Sequence, residues 1–138
     1  MEMRLQVRQT VATKLLDARL KSYPELAYYL SDFAKHLYLG TVTWSCLASM
    51  LENINNWDSK NAIFFSSQTA SVCYHFRQDS NELLKQVVVT EIISKKSRLE
   101  LLNVIGDFEK ALRTDLGIYG VSFSNEEDDF SGKSSLYW

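Results

Sequence analysis

Proline and glycine are rare in this chain and lie far apart. The 138 residues contain a single proline, Pro24, and five glycines. The intervals between them are long enough for helices, whereas sandwiches and barrels need a turn about every 8–12 residues. Within these intervals apolar side chains recur three or four residues apart, as in Leu26, Leu30, Phe33 and Leu37. This periodicity predicts amphipathic helices.

The periodic stretches divide the chain into five or six expected helices. Ser22 and Glu25 have the spacing of a capping box, with Pro24 in the first turn, and this pattern favours the start of a new helix. Ser97 and Glu100 repeat the same spacing before the last periodic stretch. The expected helices cover residues 4–21, 22–39, 43–54, 60–77, 80–94 and 97–116.

The run Gln86–Ile93 is the ambiguous part of this interpretation. Its β-branched side chains suit an extended strand. Leu84, Val88 and Ile92 instead repeat every four residues and suit a helix. We expect a helix over residues 80–94, and a strand that pairs with another extended segment is the alternative.

The fold expected from these patterns is all-α, a compact bundle of five or six helices joined by short loops. Hydrophobic residue types make up 46% of the chain and charged types 23%, which suits a single core in a domain of this size. Residues 1–120 are expected to form the bundle. Residues 121–138 are expected to form an acidic C-terminal tail, because they contain the acidic run Glu126–Asp129 before they end in Tyr137 and Trp138.

Several protein classes do not fit this sequence. No stretch of 18 apolar residues is present, so no membrane-spanning helix is expected. The first residues lack the apolar core of a signal peptide. Cys46 and Cys73 fall in different expected helices, which suits a reducing compartment better than a disulfide-based fold. We therefore expect a cytoplasmic protein that does not bind a membrane.

The chain carries no recognisable motif for catalysis or cofactor binding. Phosphate-binding glycine loops, the GxSxG nucleophile turn and the HExxH zinc pattern are all missing. Cys73 and His75 would project about 200° apart on a helix, which disfavours a shared metal ion. We expect no cofactor, no metal and no catalytic residue. A small enzyme with an unrecognised site, such as one built around Cys73, is the remaining enzymatic alternative.

Two charged residues fall among apolar side chains. Arg19 projects from the apolar face of the first expected helix, and Asp115 lies beside Phe108 and Leu112 on the last one. A charge that is buried alone is costly, so both residues are expected to find partners. The favoured interpretations are a buried polar pair that fixes the order of the helices and an Arg19 side chain that extends along its aliphatic stem to solvent. The alternative is a polar site inside a groove.

Aromatic residues in polar surroundings point to protein binding. Tyr28 falls on the polar side of its helix, where an amphipathic ring is a frequent interface anchor. Tyr137 and Trp138 follow the acidic run, as apolar anchors do in a docking peptide. The sequence thus predicts a non-enzymatic interaction module that binds another protein or a second copy of itself. It would serve as a small helical subunit, adaptor or inhibitor in a larger assembly.

A subunit of a nucleoprotein complex is the alternative function. The formal charge of −2 is far from the basic excess that is typical of nucleic-acid-binding proteins. Contact with a nucleic-acid backbone is therefore expected only as part of a complex. The basic residues available for such contact are Arg4, Arg8, Lys95, Lys96 and Arg98.

Overall fold

A computed structural model of the chain describes residues 2–118, with side chains from Gln6 onward. The described chain is all-α, as expected, but it has four α-helices rather than five or six. None of these four helices combines the length and apolar character that crossing a bilayer requires. The helices are α1 (Glu2–Tyr38), α2 (Trp44–Asn61), α3 (Ser67–Lys85) and α4 (Lys95–Asp115), with a short 3₁₀ helix at Ala62–Phe64.

The four helices form an up-down-up-down bundle. α1 packs against α2 and α4, and α3 packs against the same two helices. Near the start of α4, Nη1 of Arg98 donates to the carbonyl of Gly40 at 3.5 Å. At the end of α4, the carbonyl of Asp115 accepts a hydrogen bond from Arg19. α4 is therefore antiparallel to α1 and brings the end of the described chain back to the first half of α1.

The apolar faces of the helices expected over residues 22–39, 43–54 and 97–116 line a common core, although Val104 of the last one is exposed. α3 completes this interior with Cys73 and Phe76. Burial of apolar surface of this kind is the main favourable contribution to folding. The most deeply buried apolar side chains are Tyr23, Leu26, Leu30, Leu37, Leu47, Ile54, Ile93, Ile105 and Phe108.

The helix break expected at Pro24 is wrong, because α1 runs through this position. Pro24 is exposed, so the carbonyl that it leaves without an amide partner lies on the solvent side of the helix. Ser22 does not cap a new helix, and its hydroxyl donates to the carbonyl of Ala18 at 2.8 Å. The buried side chains of Tyr23 and Leu26 keep one continuous face of α1 against the core.

α2 continues beyond the turn that the polar stretch 55–59 predicts. Trp57, in the middle of that stretch, is buried, and its indole nitrogen donates to a carbonyl of α1 at 2.9 Å. Burial of this ring needs another helical turn, so its polar neighbours do not end the helix. α3 consequently begins later than expected, after Ser66, whose hydroxyl accepts a hydrogen bond from the amide of Thr69 at 3.1 Å.

The helix expected over residues 80–94 is wrong in its second half. α3 ends at Lys85, and residues 86–94 form a connector with one isolated antiparallel bridge, between Thr43 and Ile92. Two carbonyls of the connector accept hydrogen bonds, at 3.1 and 2.8 Å, from the first two amides of α2. Such amides have no partner inside their own helix. The β-branched run therefore caps a neighbouring helix and forms neither a helix nor a strand.

α4 begins one turn earlier than the sequence predicts. Ser94 is the N-cap residue, and its hydroxyl accepts a hydrogen bond from the amide of Ser97 at 3.3 Å. At the other end Gly117 has a positive φ of 76°, a conformation that glycine adopts at least cost. The helix therefore ends where the sequence predicts, although it does not begin there.

Candidate functional site

A polar network joins the ends of three helices at one end of the bundle. The guanidinium of Arg19 donates from Nε to the carbonyl of Phe64 at 2.7 Å and from Nη1 to the main-chain carbonyl of Asp115 at 3.1 Å. Oδ2 of Asp115 accepts the hydroxyl of Tyr23 at 2.7 Å and the amide of Ser66 at 3.1 Å. The two charged residues thus meet, but through a main-chain carbonyl rather than the carboxylate.

Hydrogen bonds determine the charge state of this network. Partial burial alone would raise the pKa of Asp115, but the bonds from Ser66 and Tyr23 outweigh burial and hold that pKa below the usual value of an aspartate. Burial, together with the bond to Asp115, raises the pKa of Tyr23 well above its usual range. At neutral pH Asp115 is therefore an anion and Tyr23 a neutral donor.

The geometry of the network is that of a link between helices. The buried hydroxyl of Thr69 adds a bond to the carbonyl of Ala111 at 3.3 Å, which connects α3 with α4. Each of these hydrogen bonds joins two different elements, which fits a structural role. Sequence reasoning missed Tyr23, Ser66 and Thr69, since a tyrosine on an apolar face and hydroxyls at a helix start are ordinary there. A charged residue within an apolar stripe was the one available signal.

Cys73 lies in a second polar contact, between α3 and α2. Its buried thiol is 3.9 Å from Oδ1 of Asp58. Burial, and after it the charge of Asp58, raises the pKa of this thiol to about 12. Arg77 binds the other carboxylate oxygen at 3.0 Å and Oδ1 of Asn55 at 2.7 Å. At neutral pH the thiol is protonated and shielded from solvent, which makes it a poor nucleophile.

The two histidines take part in local contacts only. Nδ1 of His36 lies 2.8 Å from the carbonyl of Asp32 within α1. His75 is exposed on α3, and its ring meets that of Tyr74 with centres 5.4 Å apart. Among residues 2–118, no three side chains of histidine, cysteine, aspartate or glutamate come together in an arrangement that could hold a metal ion.

Tyr28 is the one expected partner contact that the structure describes. Its side chain is 64% exposed, and its ring meets the edge of Tyr29 with centres 6.0 Å apart. Tyr29 is itself fixed by a hydrogen bond from its hydroxyl to Oε2 of Glu25 at 2.8 Å. The other two expected contacts, Tyr137 and Trp138, lie outside the described residues.

The basic residues considered for nucleic-acid binding do not form one surface. Arg8 is exposed near the beginning of α1, and the side chain of Arg4 lies outside the described part. Lys95 and Lys96 are exposed at the start of α4, which packs beside the other end of α1. The roughly 32 residues between these two levels of α1 correspond to about 48 Å. Arg98 is partly buried, and its Nη1 points at two main-chain carbonyls, 3.4 and 3.5 Å away.

The first part of α1 leaves large apolar side chains in solvent. Every side chain from residue 6 to residue 14 is exposed. Val7 and Val11 are 62% and 61% exposed, and Leu16 and Leu20 are also exposed. The sequence predicts an apolar face on this part of the helix, but its apolar side chains do not pack into the described core.

Tyr28 shares one face of α1 with Val7. Positions 7, 11, 14, 18, 21, 25 and 28 follow steps of four and three residues and therefore fall in one line along the helix. This line spans 21 residues, or about 32 Å. A shallow depression beside its middle is lined by charged residues of both signs, Lys14, Asp17, Lys21 and Glu25, together with Phe64. We call this line the outer stripe; its members are Val7, Val11, Lys14, Ala18, Lys21, Glu25 and Tyr28.

A second group of exposed apolar side chains lies at the opposite end of the bundle. Leu39 follows α1, and Val88 and Ile92 belong to the connector between α3 and α4. These side chains extend from short loops and share no helix face. They offer a smaller and less regular surface than the outer stripe.

Comparisons with known proteins give no match to this chain. No protein-family model matches it, and no curated protein or solved structure matches it significantly. What the protein does must therefore be inferred from its own residues.

Proposed function

We propose that this protein is a non-enzymatic interaction module whose docking surface is the outer stripe of α1. The observation that carries the proposal is that residues 6–14 continue the helix with every side chain exposed, including Val7 and Val11. Apolar side chains on an exposed helix face are a common means by which proteins bind one another. The partner is another protein or a second copy of the chain.

A partner that covers the first part of α1 would also stabilise its helical conformation. Thr10 and Thr13 donate hydroxyl bonds to the carbonyls of Gln6 and Gln9, at 2.9 and 2.8 Å. Such residues lower helix propensity slightly, and a helix without tertiary packing is marginal in water. A partner that packs against this part would stabilise its helical conformation while burying its apolar side chains.

The outer stripe combines apolar ends with a basic middle. Val7 and Val11 lie at one end, and the exposed ring of Tyr28 lies at the other. Lys14 and Lys21, between them, are exposed, and they outnumber the one acid of the stripe, Glu25. Apolar and aromatic anchors supply most of the energy of an interface, and charges near them favour a partner of opposite sign. The stripe therefore fits an acidic segment with apolar anchors.

Site-specific photo-crosslinking tests this function. Full-length protein with a photo-crosslinking residue at Val11 or Tyr28, expressed in its native cells, is expected to form a discrete adduct that mass spectrometry identifies. The same residue at Gln78, which is exposed on α3, is the matched control and should not form it. Equal capture at all three positions would contradict the proposal. The proposal would also be contradicted if the substitution Val11→Asp left the yield of the adduct from a crosslinker at position 28 unchanged.

The nucleoprotein alternative stays a prediction with less support. Arg8 is separated from Lys95 and Lys96 along the bundle, so the candidate basic residues with described side chains do not share one face. Titration with labelled single-stranded RNA and DNA at two salt concentrations would detect backbone binding, which weakens as salt rises.

We place the module in the cytoplasm, in keeping with a free and buried Cys73.

A further inference from the structure

We infer that residues 125–138 of the same chain cover the outer stripe of α1 from Val7 to Lys21 until a partner binds. The inference rests on the proposed function, in which the stripe is a docking surface, and it names the segment that occupies that surface in the free protein. In sequence this segment contains the acidic run Glu126–Asp129, followed by the apolar end Leu136–Trp138. It therefore has the chemistry that the stripe fits, acids together with apolar anchors.

The end of α4 delivers the chain to the right part of α1. The carbonyl of Asp115 is held by Arg19 at 3.1 Å, and the amide of Ile118 donates to the carbonyl of Arg113 at 3.0 Å. The last described residues thus lie at the level of Arg19, between the two ends of the outer stripe. Twenty residues follow Ile118, and extended they reach up to about 66 Å. That reach is about twice the length of the stripe.

The charges of the two segments are opposite in sign. Within residues 6–28, which include the whole outer stripe, the exposed charged side chains are three basic and two acidic, so this surface is positive by one charge. Residues 119–138 contain four acidic residues and one lysine. Attraction between them favours docking, whereas a second copy would bring a surface of the same net sign against the stripe. Charge complementarity therefore favours this segment of the chain over a second copy as the occupant.

The order of the chemical groups also matches. Lys21 lies close to the level at which the chain leaves α4, and Val7 lies about 21 Å farther along α1. In the segment the acids come first and the aromatic residues follow. Tyr137 lies ten residues after Glu127, a separation of up to about 33 Å in an extended chain. A single pass along α1 can thus place the acids beside the two stripe lysines and the aromatic residues beside the valines.

Docking within one chain has a consequence for regulation. A tethered segment competes at an effective concentration in the millimolar range, so weak contacts suffice to keep the stripe covered. A partner must displace the segment before it binds. The segment therefore acts as an autoinhibitory cover that hides the exposed apolar side chains of α1 in the free protein.

Crosslinking in the purified full chain tests this inference. With the photo-crosslinker at Val11, mass spectrometry is expected to find the attachment within residues 125–138, with a yield that does not depend on protein concentration. The crosslinker at Gln78 should give no attachment to that segment. A mixture of ¹⁵N-labelled and unlabelled chains then distinguishes the occupants. Attachment within one chain supports the inference, and attachment between chains identifies a second copy and overturns it.

Charge exchange provides a second, independent measurement. Glu126→Lys, Glu127→Lys, Asp128→Lys and Asp129→Lys together are expected to lower the crosslinking yield from Val11 at least about fivefold, as expected for the loss of two exposed ion pairs. Adding Lys14→Glu and Lys21→Glu exchanges the charges of the two surfaces completely and should restore the yield, and both lysines are exposed, so the fold should not suffer. A yield that stays low when all six substitutions are combined would overturn the inference.

The outcomes also separate this inference from the proposed function. If Val11 captures a partner in cells but never attaches to residues 125–138 in the purified chain, the autoinhibitory cover is wrong and the docking surface stands. If neither attachment forms, both are wrong.

Discussion

The hydroxyl of Tyr23 donates a hydrogen bond to Oδ2 of Asp115 at 2.7 Å and so joins the first helix of the bundle to the last. The ring of Tyr23 is buried and packs against Trp57, with ring centres 6.0 Å apart. The same carboxylate oxygen accepts the amide of Ser66 at the start of α3. A single side chain therefore connects the apolar core with the polar network, and its ring and its hydroxyl contribute separately.

Tyr23→Phe should lower the free energy of unfolding by about 2 kcal/mol, because it removes a hydrogen bond to a partly buried carboxylate while keeping the ring. Urea denaturation at pH 7 measures this difference. Tyr29→Phe is the matched control, since its hydroxyl bonds Glu25 near the surface, and it should cost less than about 0.5 kcal/mol. Equal losses in the two variants would contradict the role assigned to Tyr23.

The stability that Asp115 supplies should disappear in acid. The network holds the pKa of Asp115 in the folded protein below its unfolded value of about 3.9. The ionised carboxylate therefore stabilises the fold above that pH, and this contribution is lost as the pH falls through the lower, folded-state pKa. Urea denaturation of the natural protein and of Asp115→Asn should give a constant difference from pH 7 to about 5. The difference should shrink below about pH 4, and a difference that grows there would refute the linkage.

The sequence predicts the all-α class of the fold correctly but does not predict the number of helices. Periodicity reports which side of a segment is apolar, and that information was enough to find most of the core. Helix boundaries depend on local signals that tertiary contacts can override. At Pro24 the local pattern favours a helix start, but burial of Tyr23 and Leu26 on one face keeps α1 continuous. At Trp57 a polar stretch favours a turn, but the buried ring extends α2.

In the polar network, too, the sequence identifies some of the residues but not their partners. Arg19 and Asp115 could be selected from the sequence, because charges within apolar stripes need partners. Their actual partners include the main-chain carbonyl of Phe64 and the amide of Ser66. Main-chain groups are the same in every residue type, so no pattern of side chains can identify which of them a distant charge will meet.

Ser94→Ala should cost about 1 kcal/mol of stability, because the Ser94 hydroxyl caps α4 by accepting the amide of Ser97. Ser97→Ala keeps this amide and should cost less than half as much. Thermal or urea denaturation of the two variants compares them directly. A larger loss at Ser97 would show that the helix begins where the capping-box pattern places it, one turn later.

The ion pair of Arg77 with Asp58 should contribute measurably to stability. The pair is partly buried between α3 and α2, with N–O distance 3.0 Å, and Arg77 is also held by Asn55. A double-mutant cycle with Arg77→Ala and Asp58→Ala is expected to give a coupling energy of about 1 kcal/mol. The exposed pair of Lys85 with Glu82 is the control and should show no coupling in the same assay. Comparable values for the two cycles would mean that burial adds nothing.

Cys73 should react with a thiol reagent only when the protein unfolds. Its thiol is buried and its pKa is raised to about 12, so at pH 8 the reactive thiolate is roughly a thousandfold rarer than for an ordinary cysteine. The variant Cys46→Ala leaves Cys73 as the single thiol, and its modification can be followed by absorbance in native buffer and in urea. The reaction is expected to be very slow in native buffer and fast in urea. Rapid modification in the folded protein would show that solvent reaches the thiol, and it would favour the alternative of an enzyme built around Cys73.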